Sequence, residues 1–153
     1  MNAKTEQVDH ANKAVDYRRF LNQIDIVNVR LVSARIDNAG YAGSPLKYQI
    51  EVKTQARYEN VDNRIEVFHR YNLIVEDAKA NRTAGKLTVV FCVTYSSKIP
   101  MNDELFRAFK EYNLFINTWP YFREFVHNIF ARMDWIGVVA PLYKGGVRPK
   151  KTK

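Results

Sequence analysis

The stretch from Leu114 to Leu142, LFINTWPYFREFVHNIFARMDWIGVVAPL, restricts the fold more than any other part of the chain. It reads as one long helix with too much apolar surface to face water, followed by a sharp exit into a short apolar run at Pro141. Thr118 is suited to the N-cap, and Pro120 then falls in the first turn, where its missing N–H costs nothing. Trp119, Phe122, Val126, Ile129 and Met133 recur at i, i+3, i+7, i+10 and i+14 as one continuous seam. Phe125 and Phe130 widen that seam beyond what a single sheet would cover. The pattern predicts burial on a second side, against another copy of the protein.

Upstream, the period changes from helical to alternating. Residues 24–37 are rich in Ile and Val, with Val27, Val29 and Leu31 assigned to one face. From Leu46 to Tyr58 the alternation is nearly perfect: Leu46, Tyr48, Ile50, Val52, Thr54, Ala56 and Tyr58 against Lys47, Gln49, Glu51, Lys53, Gln55 and Arg57. That is an antiparallel strand with one wet face. A third strand, about 64–76, puts Ile65, Val67, His69, Tyr71, Leu73 and Val75 inward, after turn residues Asn60, Asp62 and Asn63. A fourth, about 86–97, puts Leu87, Val89, Phe91, Val93 and Tyr95 inward, after a turn at Asn81–Gly85. The Gly-rich connection 37–45 is too long for a tight hairpin and suits a crossover. Pro100 ends the sheet, and Asn102 or Asp103 can cap a helix carrying Leu105, Phe106 and Phe109. Four strands and then helices give an α+β layout, with the helices on one face of an antiparallel sheet.

The rest divides into a polar N-terminal arm or short helix (1–23), a single α+β domain (24–143) and a basic tail (144–153). A chain of 153 residues can bury roughly 70% of its unfolded surface in one domain. Of the net charge of +8, most sits in KGGVRPKKTK, where Lys144, Arg148, Lys150, Lys151 and Lys153 meet no acid. That composition reads either as a solvated, disordered end or as a tail that grips nucleic acid or an acidic partner. No run approaches the ~20 apolar residues of a membrane span, and the N-terminus lacks the shape of a signal peptide. The one cysteine, Cys92, lies inside a strand pattern and reads as a buried structural thiol in a reducing cytoplasm.

Catalytic patterns are missing. There is no Gly-rich phosphate loop, no GxSxG and no HExxH. His10, His69 and His127 fall on different elements with no ligand spacing to a cysteine or carboxylate. His69 reads as a hydrogen-bonded core histidine, His127 as a solvated or interfacial one. The expectation is a non-enzyme without metal or cofactor.

Strand order and helix together resemble the SecB family of protein-export chaperones. Trp119-Pro120-Tyr121-Phe122-Arg123-Glu124 is similar to the Pro-Tyr-Ala-Arg-Glu-like opening of that family's long helix, with Phe122 in place of a small residue. Val138-Val139-Ala140-Pro141-Leu142 looks like the segment after it. The resemblance implies an ATP-independent holdase, a homotetramer built as a dimer of dimers, with the long helix at the oligomer interface. On that basis Trp119, Phe122, Phe125, Val126, Ile129 and Phe130 are interface candidates. Tyr41, Trp135, Ile136, Val138 and Val139 are candidates for a client-binding groove.

Two departures point away from export. The chain turns basic at Lys144, where export chaperones carry a further helix and an acidic tail. Its wet sheet face sets Lys47, Lys53 and Arg57 beside a lone Glu51, whereas the family docks on the SecA motor through carboxylates. Both suit the SecB-like chaperones of toxin–antitoxin–chaperone modules, whose client is an antitoxin. The alternatives are a general export chaperone, a single-stranded nucleic-acid binder using sheet aromatics and the basic tail, or a scaffold that holds no client.

Overall fold

Strands β1 (Ile24–Asn38), β2 (Tyr48–Val61), β3 (Arg64–Asp77) and β4 (Arg82–Ser97) form one antiparallel sheet in the order β1-β4-β3-β2. The computed structural model describes residues 16–38, 48–78, 81–133, 135 and 139–141. Because β1 pairs with β4, the chain must cross from one sheet edge to the other before β2 begins, as the long Gly-rich connection requires. Asp62 closes the β2–β3 hairpin with φ 53°, a left-handed conformation that Asp tolerates. Asn81 does the same ahead of β4, with φ 47°. Gly85, expected in that turn, instead lies inside β4 opposite Val75 and Asn38. The ladder jumps from Val75–Gly85 to Glu76–Thr83, so Ala84 is an extra residue that lets the strand start earlier.

Alternation decides the faces of three strands. On β3 and β4 the inward sets, Ile65 to Val75 and Leu87 to Tyr95, are buried as expected, and β2 alternates half-buried with exposed from Tyr48 onward. Strand β1 departs from simple alternation. Its register against β4 skips between Ile26 and Asn28 and again between Leu31 and Ser33, leaving Val27 and Val32 as bulged residues. Ile26, Val29, Leu31, Ala34 and Ile36 therefore pair with Tyr95, Val93, Phe91, Val89 and Leu87 on the helix side. Val29 and Leu31 do share a face; Val27 does not join them, because the bulge takes up one residue.

Helix α1 (Asp103–Glu111) begins at Asn102, whose side chain accepts from the Leu105 N–H at 2.9 Å. Asp103 and Glu104 in its first turn and Lys110 in its last suit the helix dipole. Helix α2 (Asn113–Arg132) starts well before Thr118, so the expected cap is wrong. Tyr112 both ends α1 and begins α2, without a side-chain cap. Thr118 is fully buried, and its hydroxyl turns back to donate to the Leu114 carbonyl at 2.7 Å. Pro120 is inside the helix, where it deprives the Ile116 carbonyl of its donor. Both residues are exposed, so water can supply the missing bond.

Both helices pack on the same sheet face over two clusters. One joins Tyr71, Leu73, Val89 and Phe91 to Trp119, Phe122, Val126 and Phe130 of α2. Tyr71 and Phe122 stack with centroids 4.2 Å apart. The other joins Ile65, Val67, Val93 and Tyr95 to Phe106, Phe109 and Leu114. Phe20, on a helical stretch at residues 16–21, completes it with no exposed surface and an edge contact to Phe109 at 6.1 Å. The end of the N-terminal arm is therefore docked. Cys92 is buried as a structural thiol would be.

Candidate functional site

Strand β1 combines an edge position with apolar side chains on both faces. Its outer edge has no strand neighbour among the described residues. Ile26, Val27, Leu31, Val32 and Ile36 are each 38–54% exposed. The two bulges cause this: each apolar doublet, Ile26-Val27 and Leu31-Val32, places one member toward the helix side and leaves the other outside the ladder. A long apolar edge strand is a site of pairing unless something covers it.

The end of α2 forms a second apolar region. The Trp135 N–H closes a six-residue loop onto the Phe130 carbonyl at 2.9 Å, and the two rings lie 5.2 Å apart. This helix-ending bond and its apolar contact turn the chain back toward the sheet. Trp135 thereby stacks on Tyr48 at 6.1 Å and is 2% exposed, a core residue rather than a groove wall open to solvent. Its ring covers Gly85, where an added Cβ would fall 2.4 Å from the Trp135 Cη2. Val139, by contrast, is 59% exposed. The other groove candidates, Tyr41, Ile136 and Val138, lie outside the described residues, as do 144–153.

Of the interface candidates, Trp119, Phe122, Val126 and Phe130 are buried in the chain's own core, and Phe125 and Ile129 are half-buried against it. Phe125 meets Phe91 edge-on at 6.4 Å, and Phe130 meets Trp135. Part of the demand for a second burial partner is thus met within the chain, because the segment after α2 folds back. The most exposed apolar residues of α2 are Ile116 and Tyr121, at 61% and 49%.

Under α2 sits a buried polar cluster that periodicity alone could not reveal. His69 Nδ1 and the Tyr71 hydroxyl lie 2.8 and 2.7 Å from Thr118 Oγ1. Burial pushes the His69 imidazole down to about 3, so it is neutral at ordinary pH. His69 is the hydrogen-bonded core histidine that its strand position implied. His127 is exposed.

The wet face is less basic than its sequence implied. Lys53 pairs with Glu51 at 3.2 Å, and Arg57 with Glu59, which shares the face two residues on. Arg30 on β1 reaches Glu66 on β3 at 3.4 Å. Tyr48, Tyr58, Tyr71, Phe91 and Tyr95 all point to the helix side, and Phe68 on the outer face lies beneath the Arg57 guanidinium at 3.9 Å. The outer face of the sheet therefore lacks a row of open aromatic rings for stacking bases. Among the described residues no group of three His, Cys, Asp or Glu side chains could hold a metal, and no helix is long and apolar enough to cross a membrane.

No protein-family model matches the chain, and no curated protein does. Among solved structures, a SecB-like chaperone of Mycobacterium tuberculosis, in complex with a ChAD peptide from the HigA1 antitoxin, matches with a TM-score of 0.71 at 13% identity. The match covers 84% of this chain and 94% of that one. The four-stranded antiparallel sheet with helices on one face is thus the SecB-like α+β fold.

Proposed function

We propose that this chain is an ATP-independent SecB-like chaperone that holds an unfolded or aggregation-prone polypeptide, with an antitoxin as its dedicated client. The observation that carries this reading is the fold match over most of the chain to a chaperone solved with an antitoxin peptide. The arrangement of apolar surface supports it independently. A homo-oligomeric holdase needs apolar surface for its own assembly and further apolar surface left open for clients, and β1 and Val139 supply exposed apolar surface for these two roles.

In this reading the protein is a homo-oligomer. Strand β1 pairs with a second copy about a two-fold axis, and the outer side of α2 at Ile116, Tyr121, Phe125 and Ile129 meets further copies. Trp119, Phe122, Val126 and Phe130 support that interface from beneath. Clients lie along the segment after α2, where Val139 is open, together with Ile136, Val138 and Tyr41. Trp135 braces that groove from below. The chemistry requires no nucleophile, metal or cofactor.

The test compares clients. Binding is measured for an unfolded antitoxin segment and for an unrelated unfolded preprotein of equal length. A dedicated chaperone binds the antitoxin segment about tenfold more tightly or better. Equal affinities would overturn the dedication and favour a general export chaperone. Binding of neither would overturn the chaperone reading itself.

A further inference from the structure

Strand β2 carries Tyr48, Ile50, Val52 and Tyr58 on its helix side, but Thr54 and Ala56 between them are small. Their shortness leaves a cavity of about 380 Å³ beside the α1–α2 junction, lined by Thr54, Gln55, Ala56, His69 and Phe115, with Lys110 and Glu111 of α1. Lys110 and Glu111 are exposed and mark its mouth; His69, 1% exposed and opposite Ala56 in the ladder, marks its floor.

Proton positions in the buried cluster follow from counting donors. The Leu114 carbonyl can only accept, so the 2.7 Å contact places the Thr118 hydroxyl proton on it. Thr118 Oγ1 then has only lone pairs left, and both neighbours must donate to it: the Tyr71 O–H at 2.7 Å and His69 Nδ1–H at 2.8 Å. A neutral imidazole with its proton on Nδ1 has a bare Nε2. The ring's hydrogen bond to Thr118 is made at Nδ1, and His69 is among the residues that line the cavity. It is an acceptor on a ring fixed in place by the network behind it.

We infer that this cavity binds a neutral aromatic ring bearing an O–H or N–H donor, with the ring against Phe115 and Ala56 and the donor on His69 Nε2. The volume lies within the range of small-ligand sites. Phenols and indoles present an apolar body with one polar handle, the combination that the walls and floor match. A carboxylate would bring a second lone pair to Nε2, and an ammonium group would lose hydration that one acceptor cannot replace. The ring can come from a free small molecule or from a Tyr or Trp side chain of a bound polypeptide. The second source rests on the chaperone reading; the first does not.

The experiment titrates the full chain with p-cresol and with toluene, following the ¹⁵N resonance of His69 Nε2 and the heat of binding. The expected result is saturable p-cresol binding that moves the Nε2 resonance as a hydrogen bond forms, with toluene roughly threefold to tenfold weaker. Ala56→Phe fills the cavity from the strand opposite and should reduce p-cresol binding at least about tenfold with the amide spectrum retained. Thr54→Leu repeats the test from the next inward position should Ala56→Phe lose that spectrum. Equal binding of the two ligands, an unmoved Nε2 resonance, or full binding by a folded cavity-filled variant would overturn the site. In a second arm, a Tyr-bearing unfolded peptide that displaces p-cresol identifies the client as occupant. A peptide that binds and leaves p-cresol in place identifies a free ligand, and a peptide that does not bind counts against the chaperone reading alone.

Discussion

Thr118 holds three groups with one hydroxyl, and its loss would remove the acceptor shared by His69 Nδ1–H and the Tyr71 O–H. Thr118→Val keeps the shape and removes the hub, so urea unfolding should show a loss of about 2–4 kcal/mol, since each buried donor that loses its acceptor costs about 1–3. An unchanged midpoint would mean that the cluster is not formed in solution. His69 adds a pH dependence. Its folded-state value of about 3 lies below the ordinary 6.5, so between those limits the unfolded chain binds a proton that the folded chain refuses. Its contribution is complete above about pH 6.5 and is lost as the pH falls toward 3, on the order of 4–5 kcal/mol in all. His69→Gln should flatten the fall in stability between pH 7 and 4 relative to the parent; parallel curves would contradict the assignment. The histidine's burial was legible from its place in the β3 alternation. Thr118 was not, because Thr-Trp-Pro mimics a helix start, and the apolar seam that continues back to Leu114 was the signal against it.

Elements show the same division between period and exception. Strands β2, β3 and β4 could be read residue by residue, because alternation is a local property of the chain. Strand β1 could not, although its doublets Ile26-Val27 and Leu31-Val32 mark the two bulges for a reader who expects them. Trp135 could be named as apolar and important from sequence, but its direction depends on the loop it closes onto Phe130 and on Gly85 in a distant strand. That packing is testable as a pair. Gly85→Ala drives a methyl into the Trp135 ring and should cost about 1–3 kcal/mol. Trp135→Phe lacks the colliding atom, so in that background the same substitution should cost much less. Additive losses in a thermal-denaturation double-mutant cycle would refute the contact.

For the whole molecule, the SecB-like fold was legible in the order of elements and the Trp119–Glu124 stretch of α2, whereas the exposed surfaces depend on how the elements pack. The six proposed interface residues illustrate why: a helical seam reports that a face is apolar, not whether the chain's own sheet or another copy covers it. Strand β1 is where the two cases separate. Val32→Lys, at an exposed bulge, should leave monomer stability within about 0.5 kcal/mol while lowering the solution mass measured by ultracentrifugation. Unchanged mass would remove β1 from the assembly. The central claim is tested most directly by native mass spectrometry with one model protein offered folded and then held unfolded, at low and at high salt. The account predicts an oligomer that takes up only the unfolded form, at both salts. An intact oligomer that ignores unfolded protein, or uptake that vanishes with salt, would contradict it.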